Sequence, residues 1–349
     1  MSTILVTGGL GFIGSWIVEY YVRSDNKIIV VDNLIRAKLY NLPNKAINYR
    51  LEQIKKSENV IVRSVDIRNH EKLNEILRKE KVDIIFHTAA QVAVTTSLIN
   101  PRLDFEINVL GTFNILELAR KHDAIVVYAS TNKVYGENVN KIPLIEKKNR
   151  YEYADPKYKE GIPEDFPIDL TGHTPYGCSK LSADLYVQDY YHTYGLKTGV
   201  FRMSCIYGEG QFGVEDQGWV AWFIIATLTN KIITIYGNGK QVRDILHVQD
   251  LIKAYDLFIK SKDVKHGVYN IGGGPQNTIS LLELIGLLEE ITGRRVKVKF
   301  SNWRPKDQKV YVSCINKIKK ELKWRPEINI RKGITRLIDW VNGNKYLFT

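Results

Sequence analysis

Short apolar runs recur along the chain at regular intervals. Ile4 to Val6 is the first, ending at Thr7, and Lys27 to Val31, Val60 to Val65, Val82 to His87, Ala124 to Ala129 and Lys197 to Arg202 follow. Each has the length of a strand. Between them lie stretches with helical spacing of apolar positions, such as Leu73 to Leu77 and Asp104 to Arg120. Strands alternating with helices build a parallel sheet through right-handed crossovers, so the chain is expected to be α/β, with a doubly wound parallel sheet. Such a sheet gathers its ligands at the carboxyl ends of its strands.

What stands at those ends is therefore informative. Gly8, Gly9, Leu10, Gly11, Phe12, Ile13 and Gly14 follow the first run and precede an apolar helical stretch. Gly8 permits a tight turn, Gly11 lets a pyrophosphate approach the backbone, and Gly14 lets the helix pack closely, with its N-terminus toward the anion. The second run ends in Asp32, 18 residues after Gly14. A carboxylate at that distance accepts from a ribose hydroxyl and repels a 2′-phosphate, which favours NAD over NADP on a Rossmann sheet. Asn33 and Arg36 adjoin it, and Arg36 is the one residue there that would suit a 2′-phosphate. Asp66 and Ile67 end another run, where they would meet adenine. Thr88, Ala89, Ala90 and Gln91 end the next, where small side chains leave room for a cofactor.

One pentapeptide points to chemistry. Tyr176, Gly177, Cys178, Ser179 and Lys180 put a phenol and an ammonium four residues apart, a spacing that recurs at Tyr153 with Lys157 and at Tyr236 with Lys240 among the 20 tyrosines. Pro156 interrupts the second pair and Gly237 with Gly239 the third, so only Tyr176 and Lys180 are expected on one helix face. A phenol that must act as a base near neutral pH needs help, because its ordinary pKa is about 10. A neighbouring ammonium supplies it.

Composition narrows the setting. A chain of 349 residues with 44% apolar content can bury one large core or two smaller ones. Cys178, Cys205 and Cys314 are odd in number and widely spaced, which fits a reducing compartment and neither a disulfide framework nor a metal site. No apolar run reaches the roughly 18 residues of a membrane span, and no basic segment precedes an apolar one at the start, so the expectation is a cytoplasmic protein. The net charge of +12 is spread along the chain, densest at Lys317, Lys319, Lys320 and Lys323, without an aromatic-basic motif. It reads as a solvated basic surface, with nucleic acid not expected as a partner.

Taken together, the Gly8 to Gly14 loop, Asp66 to Arg68, His87 to Ala90, Asn108, Ser130 and Thr131 before Val134-Tyr135-Gly136, and Tyr176 with Lys180 resemble the extended short-chain dehydrogenase/reductase family of nucleotide-sugar enzymes. The resemblance covers essentially the whole chain. Within the family, Ser130 to Gly136, Asp104 to Val109, Pro175 to Ser179, Asp216 to Trp219 and Gly237 to Arg243 look like the 2-epimerases of CDP-linked sugars. The family's 4,6-dehydratases carry an Asp-Glu pair after the catalytic Ser or Thr, and here Asn132 and Lys133 stand in those places. An amide and an ammonium cannot supply the acid and base that eliminate water.

The resemblance implies NAD in an N-terminal domain, held by Gly8, Gly11, Phe12, Ile13, Gly14, Asp32, Asn33, Arg36, Asp66, Ile67, Ala89, Ala90, Gln91, Asn108, Ser130, Tyr176, Lys180 and Met203. It implies catalysis by Thr131, Tyr176 and Lys180, with transient oxidation at one sugar carbon. A CDP-sugar would be gripped by Thr131, Asn132, Ser204, Gln217, Trp219, Val220, Ile235, Arg243, Arg304 and Asp307, the two arginines on the diphosphate. No metal is implied. The expected domains are 1–203, with 243–262 returning to it, and a smaller mixed α/β substrate domain of 204–242 and 263–349. The stretch from Asn140 to Thr174, rich in prolines and charges, is expected as a lid over the sugar. Helices near Arg102 to Lys121 and Tyr176 to Tyr194 would pair in a homodimer or homotetramer.

Overall fold

The computed structural model describes residues 2–40, 42, 44–55, 57–78, 80–304 and 306–348. Seven strands form the main sheet: β1 (Thr3–Thr7), β2 (Lys27–Asp32), β3 (Val60–Ser64), β4 (Ile84–His87), β5 (Ile125–Thr131), β6 (Thr198–Met203) and β7 (His266–Ile271), in the order β7-β6-β5-β4-β1-β2-β3. The β3-β2-β1-β4-β5 run is parallel throughout, with Ile4 opposite Ile28 on one side and Ile84 on the other. The strand order reverses between β1 and β4, which is where a doubly wound sheet opens a crevice. Val6, Val30, Val31, Ile85, Phe86 and Val126 are buried, as expected for strands covered on both faces.

The chain forms two compact units. The first comprises 1–134, 174–202 and 252–269, and the second 135–173, 203–251 and 270–349. These boundaries differ from the expected ones chiefly in two places, each for a local reason. Residues 135–173 belong to the second unit, where Tyr135 donates to Asn270 Oδ1 at 2.8 Å and Ile162 bridges Ser313. The returning segment is 252–269 rather than 243–262, because the strand Val242–His247 pairs with Cys205–Tyr207, Thr278–Ser280 and Val310–Tyr311. In the first unit Tyr255 packs on Phe86 and Phe201, and Tyr21 donates to Asp256 at 3.0 Å.

The helices that position the site are α1 (Phe12–Val22), α2 (Gly111–His122) and α3 (Thr174–Tyr194). The stretch Asp104 to Arg120 is not one regular helix. A helix Pro101–Phe105 passes into a π-helical turn, Glu106–Leu110, and then into α2. Asn108 lies in the wide turn, its main-chain carbonyl accepting from the Thr112 hydroxyl at 2.6 Å. Gly111 follows where a Cβ would lie 2.5 Å from Ile67 Cδ1, so no larger residue fits without displacing Ile67. Wide turns of this kind often accompany functional sites.

In the second unit, the apolar helix Trp219–Leu228 packs on Ile330–Gly343 and buries Phe223, Ile224, Ile235 and Leu337. The segment expected as a lid contains two short antiparallel strands, Leu144–Glu146 and Tyr151–Tyr153. Among the described residues, no helix is long and apolar enough to cross a membrane.

Candidate active site

Between β1 and α1, the glycines of the loop have steric reasons. Gly8 has φ of +69°, and a Cβ there would lie 2.8 Å from the Ala89 nitrogen. A Cβ on Gly14 would lie 2.2 Å from the Gly8 carbonyl oxygen. The N-cap of α1 is Gly11, with no side-chain cap, so the first N–H groups of the helix keep their capacity to bind an anion. Asp32 ends β2 and accepts from Leu10 N–H at 3.0 Å and Leu34 N–H at 2.8 Å. Burial pushes its carboxyl up and those N–H groups pull it back. Leu34 sits at φ of +57°, a left-handed backbone that non-glycine residues rarely adopt.

Around this loop the expected cofactor residues divide by what their side chains do. Asn33 donates to Asp66 at 2.8 Å, and Arg68 grips the same carboxylate with a fork at 3.0 and 2.8 Å. Burial pushes the Asp66 carboxyl up, but those hydrogen bonds outweigh it and leave it below the usual range. Arg36 lies over the Tyr40 ring, while Phe12, Ile13, Ala89 and Ala90 are half-buried around the loop and Ile67 is buried against Gly111. Gln91 and Asn108 belong to a buried network: Gln91 donates to Asp104 at 2.8 Å, and Asn108 donates to Ser179 Oγ at 3.0 Å. Ser179 donates in turn to Asp104 at 2.5 Å. These side chains therefore fix the main chain at Gln91, after β4, to α3.

On α3, Tyr176 and Lys180 are one turn apart and both buried. The two other pairs of the same spacing are not helical: Tyr153 and Tyr236 each end a strand. Thr131 ends β5, so the strand and the helix bring Thr131 against Tyr176 from distant parts of the chain. Burial pushes the Tyr176 phenol up to about 12, and a hydrogen bond from Thr131 pulls the other way. The hydroxyl of Thr131 is itself held by Lys133 N–H at 3.2 Å and lies 3.4 Å from Asn132 Oδ1. Lys180 donates to the Ala129 carbonyl at 2.8 Å and lies 4.2 Å from the centroid of the Tyr128 ring. Burial pushes its ammonium down to about 7, opposed by Asp184 and Asp104.

Asp184 is a residue that motif reading missed. It is fully buried and accepts from Ser130 Oγ at 2.6 Å, from Gln188 at 2.6 Å and from Arg202 through two bonds of 3.1 Å. Its signal was present, since Tyr176, Lys180 and Asp184 repeat every four residues on one helix face. By tying Ser130 to α3 it sets where the end of β5, and hence Thr131, lies.

The remaining expected residues fall in the second unit. Arg243 pairs with Asp307 at 2.9 Å, and Arg304 pairs with Asp216 at 2.9 Å while lying over the Tyr236 ring. Trp219 donates to Cys205 Sγ at 3.2 Å, and Ser204 donates to the Asp244 carbonyl at 2.9 Å. Gln217 exchanges main-chain bonds with Val214, and Met203 ends β6. Val220 and Ile235 are buried in that unit's core. Among the described residues, no three His, Cys, Asp or Glu side chains cluster as a metal site.

Comparison with known proteins places these features in context. A family model described as GDP-mannose 4,6 dehydratase matches residues 5–337. The chain is 39% identical to CDP-paratose 2-epimerase of Salmonella typhi, over 97% of this chain and 99% of that protein. It is 33% identical to UDP-glucuronate 4-epimerase of Thermodesulfobacterium geofontis, over 99% and 97%. Among solved structures, the UDP-glucose 4-epimerase of Thermus thermophilus in complex with NAD superposes with a TM-score of 0.78 at 30% identity, covering 98% of this chain and 99% of that one.

Proposed function

The chain belongs to the GDP-mannose 4,6-dehydratase family of extended short-chain dehydrogenases/reductases, and on that premise we propose that it is a 2-epimerase of a CDP-linked sugar, of the CDP-paratose to CDP-tyvelose type. Its function is that of the NAD-dependent sugar epimerases and dehydratases, and NAD is its cofactor. The glycine loop, the uncapped start of α1 and Asp32 suit a dinucleotide. Bound NAD supplies the acceptor and later the donor of a hydride. The finer reading rests on the extent of likeness to the Salmonella enzyme and on Asn132 and Lys133 in place of two carboxylates.

The chain's own groups divide the work. Tyr176 takes the proton of the sugar's 2-hydroxyl as the C2–H bond gives up its hydride. Thr131 holds that oxygen against Tyr176, and Lys180 supplies the positive charge that a phenolate needs beside it. With NAD bound to supply the hydride, C2 of the ketone would be reduced on its opposite face, and Tyr176 would give the proton back. No net oxidation occurs. Positioned acid-base groups of this kind contribute about 10² to 10⁴ in rate. In the second unit, Arg243 and Arg304 offer forked donors for a diphosphate, each beside a carboxylate that it would exchange for phosphate.

A 4-epimerase would use the same three residues, and the likeness to UDP-glucuronate 4-epimerase keeps that second reading. We place the enzyme in the cytoplasm, in the synthesis of a surface-polysaccharide precursor. Exposed apolar side chains on neighbouring helices of the first unit, Leu98, Phe105, Phe113, Leu185 and Tyr186, favour pairing of subunits as a homodimer or homotetramer.

The test is direct. The protein is incubated with CDP-paratose, CDP-glucose and UDP-sugars carrying deuterium at C2, and products and bound NAD are analysed by mass spectrometry. A 2-epimer of the CDP-sugar that retains its label is expected. Epimerisation confined to C4 would replace this reading with the second one.

A further inference from the structure

Lys180 is held by more than its hydrogen bond. Its Nζ lies 4.2 Å from the centroid of the Tyr128 ring, within the range at which an aromatic face attracts a cation. On the neighbouring strand β4, His87 stacks with Tyr128 at 5.6 Å between ring centroids and 25° between planes. Thr112 spends its proton on the Asn108 carbonyl at 2.6 Å, so it accepts from His87 Nε2 at 2.9 Å, which leaves Nδ1 to accept from Thr7 at 2.7 Å. Both ring nitrogens are thus satisfied in the neutral tautomer. Burial and the charge of Lys180 push the His87 imidazole down to about 3, so it adds no competing positive charge. The stack immobilises the tyrosine ring.

We propose that Tyr128 is a positioning residue, whose ring face keeps the Lys180 ammonium charged and aimed beside Tyr176. The proposal rests on the assignment of Tyr176 and Lys180 as the catalytic pair. The other charged groups facing Lys180 are accounted for. Asp184 on its own helix is consumed by Arg202, Ser130 and Gln188, and Asp104, from the helix Pro101–Phe105, by Ser179, Gln91 and Asn108. Neither carboxylate bonds Lys180 directly. Of the three N–H groups on the ammonium, the Ala129 carbonyl takes one and the ring face another. Weakening the ring face makes the ammonium easier to deprotonate, so Lys180 would lose its charge at lower pH. The alkaline limb of the turnover profile would move down with it.

The experiment replaces Tyr128 by Phe and then by phenylalanines carrying one, two and three ring fluorines, which keep the shape of the ring and drain charge from its face. Lysine labelled at Cε reports protonation of Lys180 by NMR, its signal identified by loss in Lys180→Met, and turnover is followed against pH in parallel. Thermal unfolding checks that each variant is folded. Tyr128→Phe should titrate like the parent, and the fluorinated series should lower the Lys180 midpoint stepwise by about one pH unit in all, with the alkaline limb following. A midpoint unmoved across the series overturns the proposal. Absence of turnover in the parent protein would instead sink the epimerase reading and leave the titration result standing.

Discussion

Lys180 is 3% exposed, and burial pushes its ammonium down to about 7. The unfolded chain holds the same proton with an ordinary pKa of about 10.4. Between those values the unfolded state binds more protons than the folded one, so this residue opposes folding most below pH 7 and least above pH 10. At about 1.4 kcal/mol per pH unit, keeping the buried lysine costs roughly 4 kcal/mol at pH 7. Lys180→Met removes that cost but takes a partner from the Ala129 carbonyl, which returns about 1 to 3 kcal/mol. The variant should therefore be more stable than the parent by about 2 kcal/mol at pH 7, and should lose the advantage near pH 10, while turnover falls by about 10² or more. Urea unfolding of the cofactor-free proteins at pH 7 and pH 10, followed by far-ultraviolet circular dichroism, measures both values. A variant less stable at pH 7, or a gain that does not shrink with pH, would refute the reasoning.

Two further substitutions probe the site from other sides. Gly14→Ala places a methyl 2.2 Å from the Gly8 carbonyl oxygen, so the loop must retreat by nearly an ångström; NAD affinity measured by calorimetry should fall about 100-fold, the scale of loss that such misplacement brings. Tyr176→Phe removes the proposed proton acceptor and leaves the loop untouched. It should bind NAD as the parent does and turn over about 10² to 10⁴ times more slowly.

The sheet and its cofactor loop were legible because they are local. An apolar run, a glycine turn and an acidic residue at the end of the next run each declare themselves within a few residues, and β1, β2 and the loop lie where expected. Tyr176 and Lys180 were legible because proline and glycine spoil the two competing pairs. Long-range pairings were harder to read. β7 was missed: His266 to Ile271 follows a charged stretch, and its place beside β6 depends on long-range pairing and packing such as that of Tyr269 on Phe201. The π-helical turn at Glu106–Leu110 was also hidden, since its periodicity over two turns is close to that of an ordinary helix. The high phenol pKa of Tyr176 could not be anticipated from residue types, because burial, the dominant cause, is a property of the packed chain.

The first unit draws on three separated stretches of chain, the last of them 252–269. During synthesis from the N-terminus, the glycine loop emerges almost at once, yet β6 and β7 cannot join the sheet until residues far downstream have left the ribosome. Strands β1 to β5 must wait with one edge of the sheet unpaired, and part of the second unit is made in the interval. Release from the ribosome short of residue 269 leaves the nucleotide half of the molecule incomplete, however intact its motifs. For this protein a fragment that ends at the apparent close of its first half lacks residues 252–269, which complete the first unit.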